Sequence, residues 1–255
     1  MWRVNSPRAI VWEGGCQARA DLRIEGFDVI PKGDGFLVAL GYSDSTIRIY
    51  EYDVSNKSFK ARLRALYKQC CILHLKLLAD TLLVAGTDGF ITGYELQLPP
   101  LALASEVSGL GKAKFEKRVH QNSIKALSAF QEDDGVTWVY SGGDDTALAI
   151  TRVCSGGEKA ESWVLPRAHA SAVTALVRVG RNRLLTAGVD QRVKLWEMVE
   201  GQGGQAVAAK LVEEGLSAVA DISGAVVVGD QVVIVGVGVD VWNTARTTIS
   251  ASDQG

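Results

Sequence analysis

Leu184 to Met198 read "LLTAGVDQRVKLWEM", two apolar runs divided by a lone carboxylate. The first run, Leu184 to Gly188, is short and continuous. After Asp190 come Gln191 and Arg192, and then Val193, Leu195 and Trp196 are interleaved with Lys194 as in a half-buried strand. The stretch therefore predicts strand, tight turn, strand, with Asp190 at the turn. The same pattern recurs as "LGYSDSTIRIY" around Asp44, "AGTDGFITGY" around Asp88 and "SGGDDTALAIT" around Asp145. An apolar residue stands three positions after each Asp: Ile47, Ile91, Leu148 and Val193. The intervals from Asp to Asp are 44, 57 and 45 residues.

Two of these intervals match the period of a β-propeller blade, about 40 to 45 residues, and the middle one leaves about a dozen residues over for a loop. A Pro pair and a Gly- and Lys-rich piece in "QLPPLALASEVSGLGKAKFEKRV" place an insertion at about 97–119. A chain of 255 residues, 47% hydrophobic, can bury a large core. Its net charge of −2 gives no global attraction to polyanions, so nucleic acid would be bound only through local patches and DNA is not an expected partner.

Cys16, Cys70, Cys71 and Cys154 form no CxxC pair and read as reduced structural thiols. The N-terminus "MWRVNSPRAIVWEGG" lacks a continuous apolar signal region, which suggests the cytosol or nucleus, with the cytoplasm as the expected location. Leu216 to Trp242 is apolar enough to mimic a membrane span. However, Asp221, Asp230 and Asp240 interrupt it, and Gly-rich β-branched runs read as buried strands and turns.

A second repeat precedes two of the turns. "VHQNSIKAL" and "AHASAVTAL" share a His followed four residues later by a β-branched residue and seven later by Leu, and the Asp follows 25 and 21 residues after the His. This resembles the WD40 repeat, in which a His, a Ser or Thr, the turn Asp and a Trp form a hydrogen-bonded set. His169, Thr186, Asp190 and Trp196 complete the set. The unit around Asp145 keeps His120 and Ser141 but has Thr151 where Trp is expected. The units of Asp44 and Asp88 lack the His and carry Leu40 and Val84 at the hydroxyl position. Burial explains such a set, because a carboxylate or indole N–H withdrawn from water is costly unless hydrogen-bonded.

His, Ser or Thr, and Asp also make up a catalytic triad, but a triad occurs once per site whereas this set follows the repeat. His74 in "ILHLKLL" reads as a strand residue without companion metal ligands. No phosphate-binding glycine loop or nucleophile elbow is present. The chain reads as a non-enzyme that needs no cofactor.

The expected fold is an all-β propeller of four clear blades over 27–243. A fifth blade would use Val219–Ile222, Val232–Val235 and Val239–Trp242, with its Asp turn shortened to "GVGVD". Segments 1–26 and 244–255 lie outside these blades, the first as a remnant of a preceding blade and the second as a tail. WD40 rings most often have seven blades, so the chain is expected to be part of a larger seven-bladed ring in a longer protein.

The succession of "GYSDSTIRIY", "TDGFITGYEL", "VHQNSIKAL", "SGGDD", "AHASAVTAL", "DQRVKLW" and "ADISGAVVVGDQVVIVGVGVDVWN" resembles the C-terminal propeller of the WD repeat-containing protein 6 family. The resemblance runs from about Phe27 to Asn243. It implies a non-catalytic subunit that holds the tRNA methyltransferase adding a 2′-O-methyl group to wobble nucleotide 34, and that helps place the tRNA. Members of that family are several times longer. Two basic stretches would suit tRNA. In "NKSFKARLRALYK", Lys60, Arg62 and Arg64 fall on one face of an extended strand, and "GKAKFEKR" adds Lys112 and Lys114. Solvated outer strand and loop are the plainer readings of both. The alternative function is a general WD40 interaction module in a ubiquitin ligase, trafficking or signalling complex.

Overall fold

The computed structural model describes residues 2–6, 9–12, 22–98, 110–157, 159–200 and 207–243. These residues form strands and turns, with no helix among them. The hairpin β1 (Trp2–Ser6) and β2 (Ala9–Trp12) comes first. Four antiparallel four-stranded sheets follow, each a meander contiguous in sequence. Blade 1 comprises β3 (Ile24–Lys32), β4 (Gly35–Tyr42), β5 (Thr46–Asp53) and β6 (Ser58–Leu66). Blade 2 comprises β7 (Ile72–Leu77), β8 (Thr81–Gly86), β9 (Phe90–Glu95) and β10 (Ala113–Arg118). Blade 3 comprises β11 (Ile124–Gln131), β12 (Thr137–Gly143), β13 (Leu148–Val153) and β14 (Ala160–Leu165). Blade 4 comprises β15 (Val173–Gly180), β16 (Arg183–Gly188), β17 (Arg192–Glu200) and β18 (Val207–Leu216). A two-stranded sheet of β19 (Ala220–Val228) and β20 (Gln231–Asn243) ends the described chain.

The chain divides into two compact units. The first, Met1–Thr87 with Ile91–Glu116, holds most of blades 1 and 2, and the second, Asp88–Phe90 with Lys117–Gly255, holds the rest. In the first unit, Leu37, Ile47, Ile49 and Leu63 of blade 1 pack with Ile72, Leu75, Leu82 and Val84 of blade 2. Asp28 adds a polar link, accepting from the Leu77 amide at 2.8 Å and from Lys76 Nζ at 3.1 Å. In the second unit, Trp138, Leu148 and Ile150 of blade 3 pack with Leu176, Leu184 and Trp196 of blade 4. Blade 4 in turn packs Leu185, Val193 and Leu195 against Ile222, Val232 and Ile234 of the hairpin and Val219 just before it. Second strands such as β8 and β12 are covered on both faces: every residue of each is buried.

Two expectations are amended. Residues 113–118, expected inside the 97–119 insertion, form β10, the fourth strand of blade 2, while residues 99–109 lie outside the described residues. Phe115 of β10 fits over β9 because Gly93 has no side chain there; a Cβ at Gly93 would stand 2.3 Å from the Phe115 ring. The fifth unit has two strands instead of three. "GVGVD" lies within β20, and the turn falls at Gly229 and Asp230, with Gly229 at a φ of 63°. Cys16 and the segment 244–255 lie outside the described residues.

Candidate functional site

The lone Asp of each repeat does one thing in all four blades: it accepts from the backbone amide two residues ahead. The distances are 3.0 Å from Thr46 to Asp44, 3.2 Å from Phe90 to Asp88, 3.2 Å from Ala147 to Asp145 and 3.1 Å from Arg192 to Asp190. Between them the backbone turns left-handed, at Ser45 (φ 64°), Gly89 (φ 76°), Thr146 (φ 67°) and Gln191 (φ 58°). The amides of Ser45, Thr146 and Gln191 close their turns onto the carbonyls of Tyr42, Gly143 and Gly188 at 3.0, 3.2 and 3.0 Å. A short polar side chain that bonds locally stabilises this geometry, which is why an Asp recurs between two strands.

In blades 3 and 4 the carboxylate also reaches backwards. His169 Nδ1 lies 3.1 Å from Asp190 Oδ1, and the Ala170 amide donates to Oδ2 at 2.8 Å. His169 Nε2 lies 2.8 Å from Thr186 Oγ1, which accepts from Trp196 Nε1 at 2.7 Å. The ionised carboxylate only accepts, so Nδ1 carries the proton and Nε2 accepts from the Thr186 hydroxyl. The relay Trp196 to Thr186 to His169 to Asp190 then uses each donor once. In blade 3, His120 Nδ1 lies 2.8 Å from Asp145 Oδ1, Nε2 lies 2.9 Å from Ser141 Oγ, and the Gln121 amide donates to Asp145 Oδ2 at 2.8 Å. Thr151 turns instead to Ser162, 2.9 Å away across the sheet, so this relay is one link shorter.

Burial pushes the Asp190 carboxyl up, but the Ala170 amide, His169 and the Arg192 amide outweigh it and hold the group below the usual carboxylate range. Asp145 is held low in the same way, burial being outweighed by the Gln121 amide, His120 and the Ala147 amide. Burial lowers the His169 pKa, and the Asp190 charge opposes that without reversing it. The imidazole is therefore neutral in the folded blade near pH 7. Thr186 is fully buried with both neighbours engaged. Its hydroxyl fastens a strand and is not presented to a substrate.

Ser217 is a site the sequence reading missed. It precedes β19 as His169 precedes β15, and its hydroxyl donates to Asp240 Oδ2 at 2.7 Å. Asp240 also engages the Ala218 amide, as Asp190 engages Ala170. The Asp of "GVGVD" thus keeps the backward reach of Asp190 with a serine in the place of histidine, while its forward bond goes to the next amide, Val241, at 2.8 Å. In blades 1 and 2, Leu40 and Val84 fill the hydroxyl position and are buried. There Ser45 Oγ donates to the Cys70 carbonyl at 2.7 Å, and the Cys71 amide donates to Thr87 Oγ1 at 3.2 Å.

The basic stretch of blade 1 is corrected in one respect. β6 carries a bulge at Arg62: Leu63 pairs with Ile49 and Ala61 pairs with Tyr50. An extra residue reverses the alternation, so Lys60, opposite Glu51, and Arg64, opposite Arg48, lie on different faces of the sheet. Lys60 pairs with Asp53 at 3.3 Å and Arg62 with Glu51, which Lys32 also reaches at 3.1 Å. Lys114 pairs with Asp80 at 3.2 Å, whereas Lys112 is exposed. His74 lies on β7. Among the described residues no group of three or more His, Cys, Asp or Glu side chains could hold a metal, and no helix is long and apolar enough to cross a membrane.

No protein-family model matches the chain. Among curated proteins it is similar to the tRNA (34-2′-O)-methyltransferase regulator WDR6 of Bos taurus, with 23% identity over 204 residues. The match takes in 67% of this chain and 18% of that protein, so the chain spans less than a fifth of its relative's length. Among solved structures, a chain of the mitotic checkpoint complex superposes with a TM-score of 0.64 at 14% identity, covering 92% of this chain and 64% of that one. The WD40 β-propeller domain of Doa1 gives a TM-score of 0.62 at 19% identity, covering 90% and 71%. Recurrent turns, buried relays and these likenesses together give the chain the fold of a WD40 β-propeller and a resemblance to the WD repeat-containing protein 6 regulator.

Proposed function

We propose that this chain is a non-catalytic scaffold for 2′-O-ribose methylation of the tRNA wobble nucleotide, position 34. In this reading it acts in the cytoplasm, binds the catalytic methyltransferase subunit and helps position the tRNA. The observation that carries the reading is the similarity over 204 residues to a protein named as a regulator of that methylation. The blade chemistry is in keeping with a scaffold: the two sets of residues that resemble a triad, in blades 3 and 4, are consumed in fastening turns to strands. Contact with tRNA would fall to the cations of blades 1 and 2. Arg64 and Lys112 serve that role better than Lys60, Arg62 and Lys114, whose charges are met by carboxylates.

The test is mass spectrometry of purified tRNA from cells with and without the gene, read at ribose positions 32 and 34. Loss at 34 with 32 retained is the expected result. If both persist, the tRNA reading fails, and a WD40 interaction module with a protein partner in another pathway takes its place.

A further inference from the structure

Lys32, Lys60 and Arg62 of blade 1 are each ion-paired to a carboxylate, and two arginines on the same sheet are not. Arg48 of β5 and Arg64 of β6 stand directly opposite one another in the register. Like charges directly opposite on neighbouring strands repel, and an arginine withdrawn from water is costly without a counter-charge. Arg48 is only 9% exposed, and Arg64 is half-buried on the edge strand. The Nε atoms of both are buried without a hydrogen-bond partner. Among the described residues no carboxylate oxygen comes within ion-pair distance of either guanidinium. Asp44, whose carboxyl Arg48 helps to hold low, spends its Oδ1 on the amide and hydroxyl of Thr46. Glu51 and Asp53, the acids of β5, are taken by Lys32, Arg62 and Lys60.

The surroundings hold Arg48 in place without neutralising it. Its guanidinium carbon lies 4.5 Å from the centroid of the Tyr42 ring, and Tyr42 clusters with Leu40 and Tyr50. A guanidinium resting against a ring keeps its N–H donors for an acceptor at its edge. From this geometry we infer that Arg48 and Arg64 form a binding site for a phosphate group, one that is terminal and doubly charged. The charge count favours phosphate over carboxylate. Two guanidinium groups carry two positive charges, which a phosphomonoester of about −1.5 to −2 balances and a single carboxylate does not. Its three terminal oxygens can also accept from both forks at once. Access is from the sheet edge, where among the described residues β6 has no further strand beside it and Arg64 reaches solvent. The inference stands apart from the tRNA reading, since it concerns a phosphate on any carrier.

The experiment is titration of the whole chain with inorganic phosphate by calorimetry, with thermal melts in phosphate and in chloride at equal ionic strength. Phosphate should bind with a measurable heat and raise the melting temperature above the chloride control. Arg64→Gln should weaken that affinity by about tenfold or more, the loss expected for a charge-assisted bond. Arg48→Met should abolish it while leaving the chain at least as stable in chloride, since the buried charge is gone. If Arg48→Met does not fold, Arg64→Gln carries the test alone. Adenosine 5′-monophosphate set against adenosine separates the sources: tighter binding of the monophosphate than of inorganic phosphate indicates a nucleotide carrier, and equal binding indicates the phosphate group alone. No difference between phosphate and chloride, or an Arg64→Gln variant with unchanged affinity, overturns the inference.

Discussion

Replacing Asp190 by Ala removes one acceptor and strands three donors: His169 Nδ1–H and the amides of Ala170 and Arg192. They do not count equally. Ala170 and Arg192 are exposed residues, and water can take the place of the lost carboxylate at their amides. The His169 side chain is 0% exposed, and no water reaches it without the blade opening. Moving the proton to Nε2 gives no relief, because Thr186 would then accept from both His169 and Trp196, leaving its own hydroxyl hydrogen without an acceptor.

One buried donor left unsatisfied costs about 1 to 3 kcal/mol, and the two amides add a few tenths each. A loss of about 2 to 3 kcal/mol is therefore expected, which for a chain of this size lowers the melting temperature by roughly 5 to 10 °C. Differential scanning calorimetry of the variant beside Asp190→Asn is the assay. Asn keeps one oxygen acceptor for the histidine and should fall between Ala and the native chain. An Asp190→Ala variant that melts with the native protein would refute the relay as a source of stability.

The relays also set a pH dependence, and the packing of blade 2 sets a second test. Unfolded His169 takes up a proton near its ordinary pKa of 6.5 while the folded residue resists it, and unfolded Asp145 and Asp190 do so near 3.8 while the folded ones hold out lower. Stability is then fully present above pH 6.5, is lost first as pH falls through that value, and is lost again below 3.8. Melts across this range should show both declines, and His169→Gln should remove the first; a melting temperature unchanged from pH 7 to 5 contradicts the account. Phe115→Ala should cost about 3 to 5 kcal/mol in urea unfolding, because the ring fills the space above Gly93. Gly93→Ala should be harmful in the native chain and tolerated beside Phe115→Ala, so additive losses would show that the two positions do not share that space.

The blades and their latches were legible because they rest on local chemistry. An Asp that bonds the amide two residues ahead repeats wherever the turn repeats, and a His followed four residues later by a β-branched residue and seven later by Leu marks the strand start. What escaped depended on partners distant in sequence. β10 was hidden because the chain leaves blade 2 through a Pro pair and returns in a Lys-rich strand whose one apolar anchor, Phe115, is matched to a glycine on β9. Ser217 was hidden because a serine before a strand is common, and only its meeting with Asp240 gives it meaning. Lys60, Arg62 and Arg64 looked like one charged row. The bulge at Arg62 splits that row, and a bulge is a property of the strand pair, which the sequence of one strand does not display.

The latch of blade 4 joins residues 21 apart in the chain, and that of blade 3 joins residues 25 apart. Closing a loop of that length costs little chain entropy, and the cost grows only with the logarithm of the length. Each latch draws both its ends from the first three strands of its own blade and the turns beside them. A blade so fastened carries its own closure with it, like a hasp fitted to each panel of a folding screen. Blades 1 and 2, which lack the histidine, are held by the apolar face they share and by Asp28 reaching across to β7. Within one chain, then, both pairs of blades lean on a neighbour, and one pair adds a fastening that each blade carries for itself.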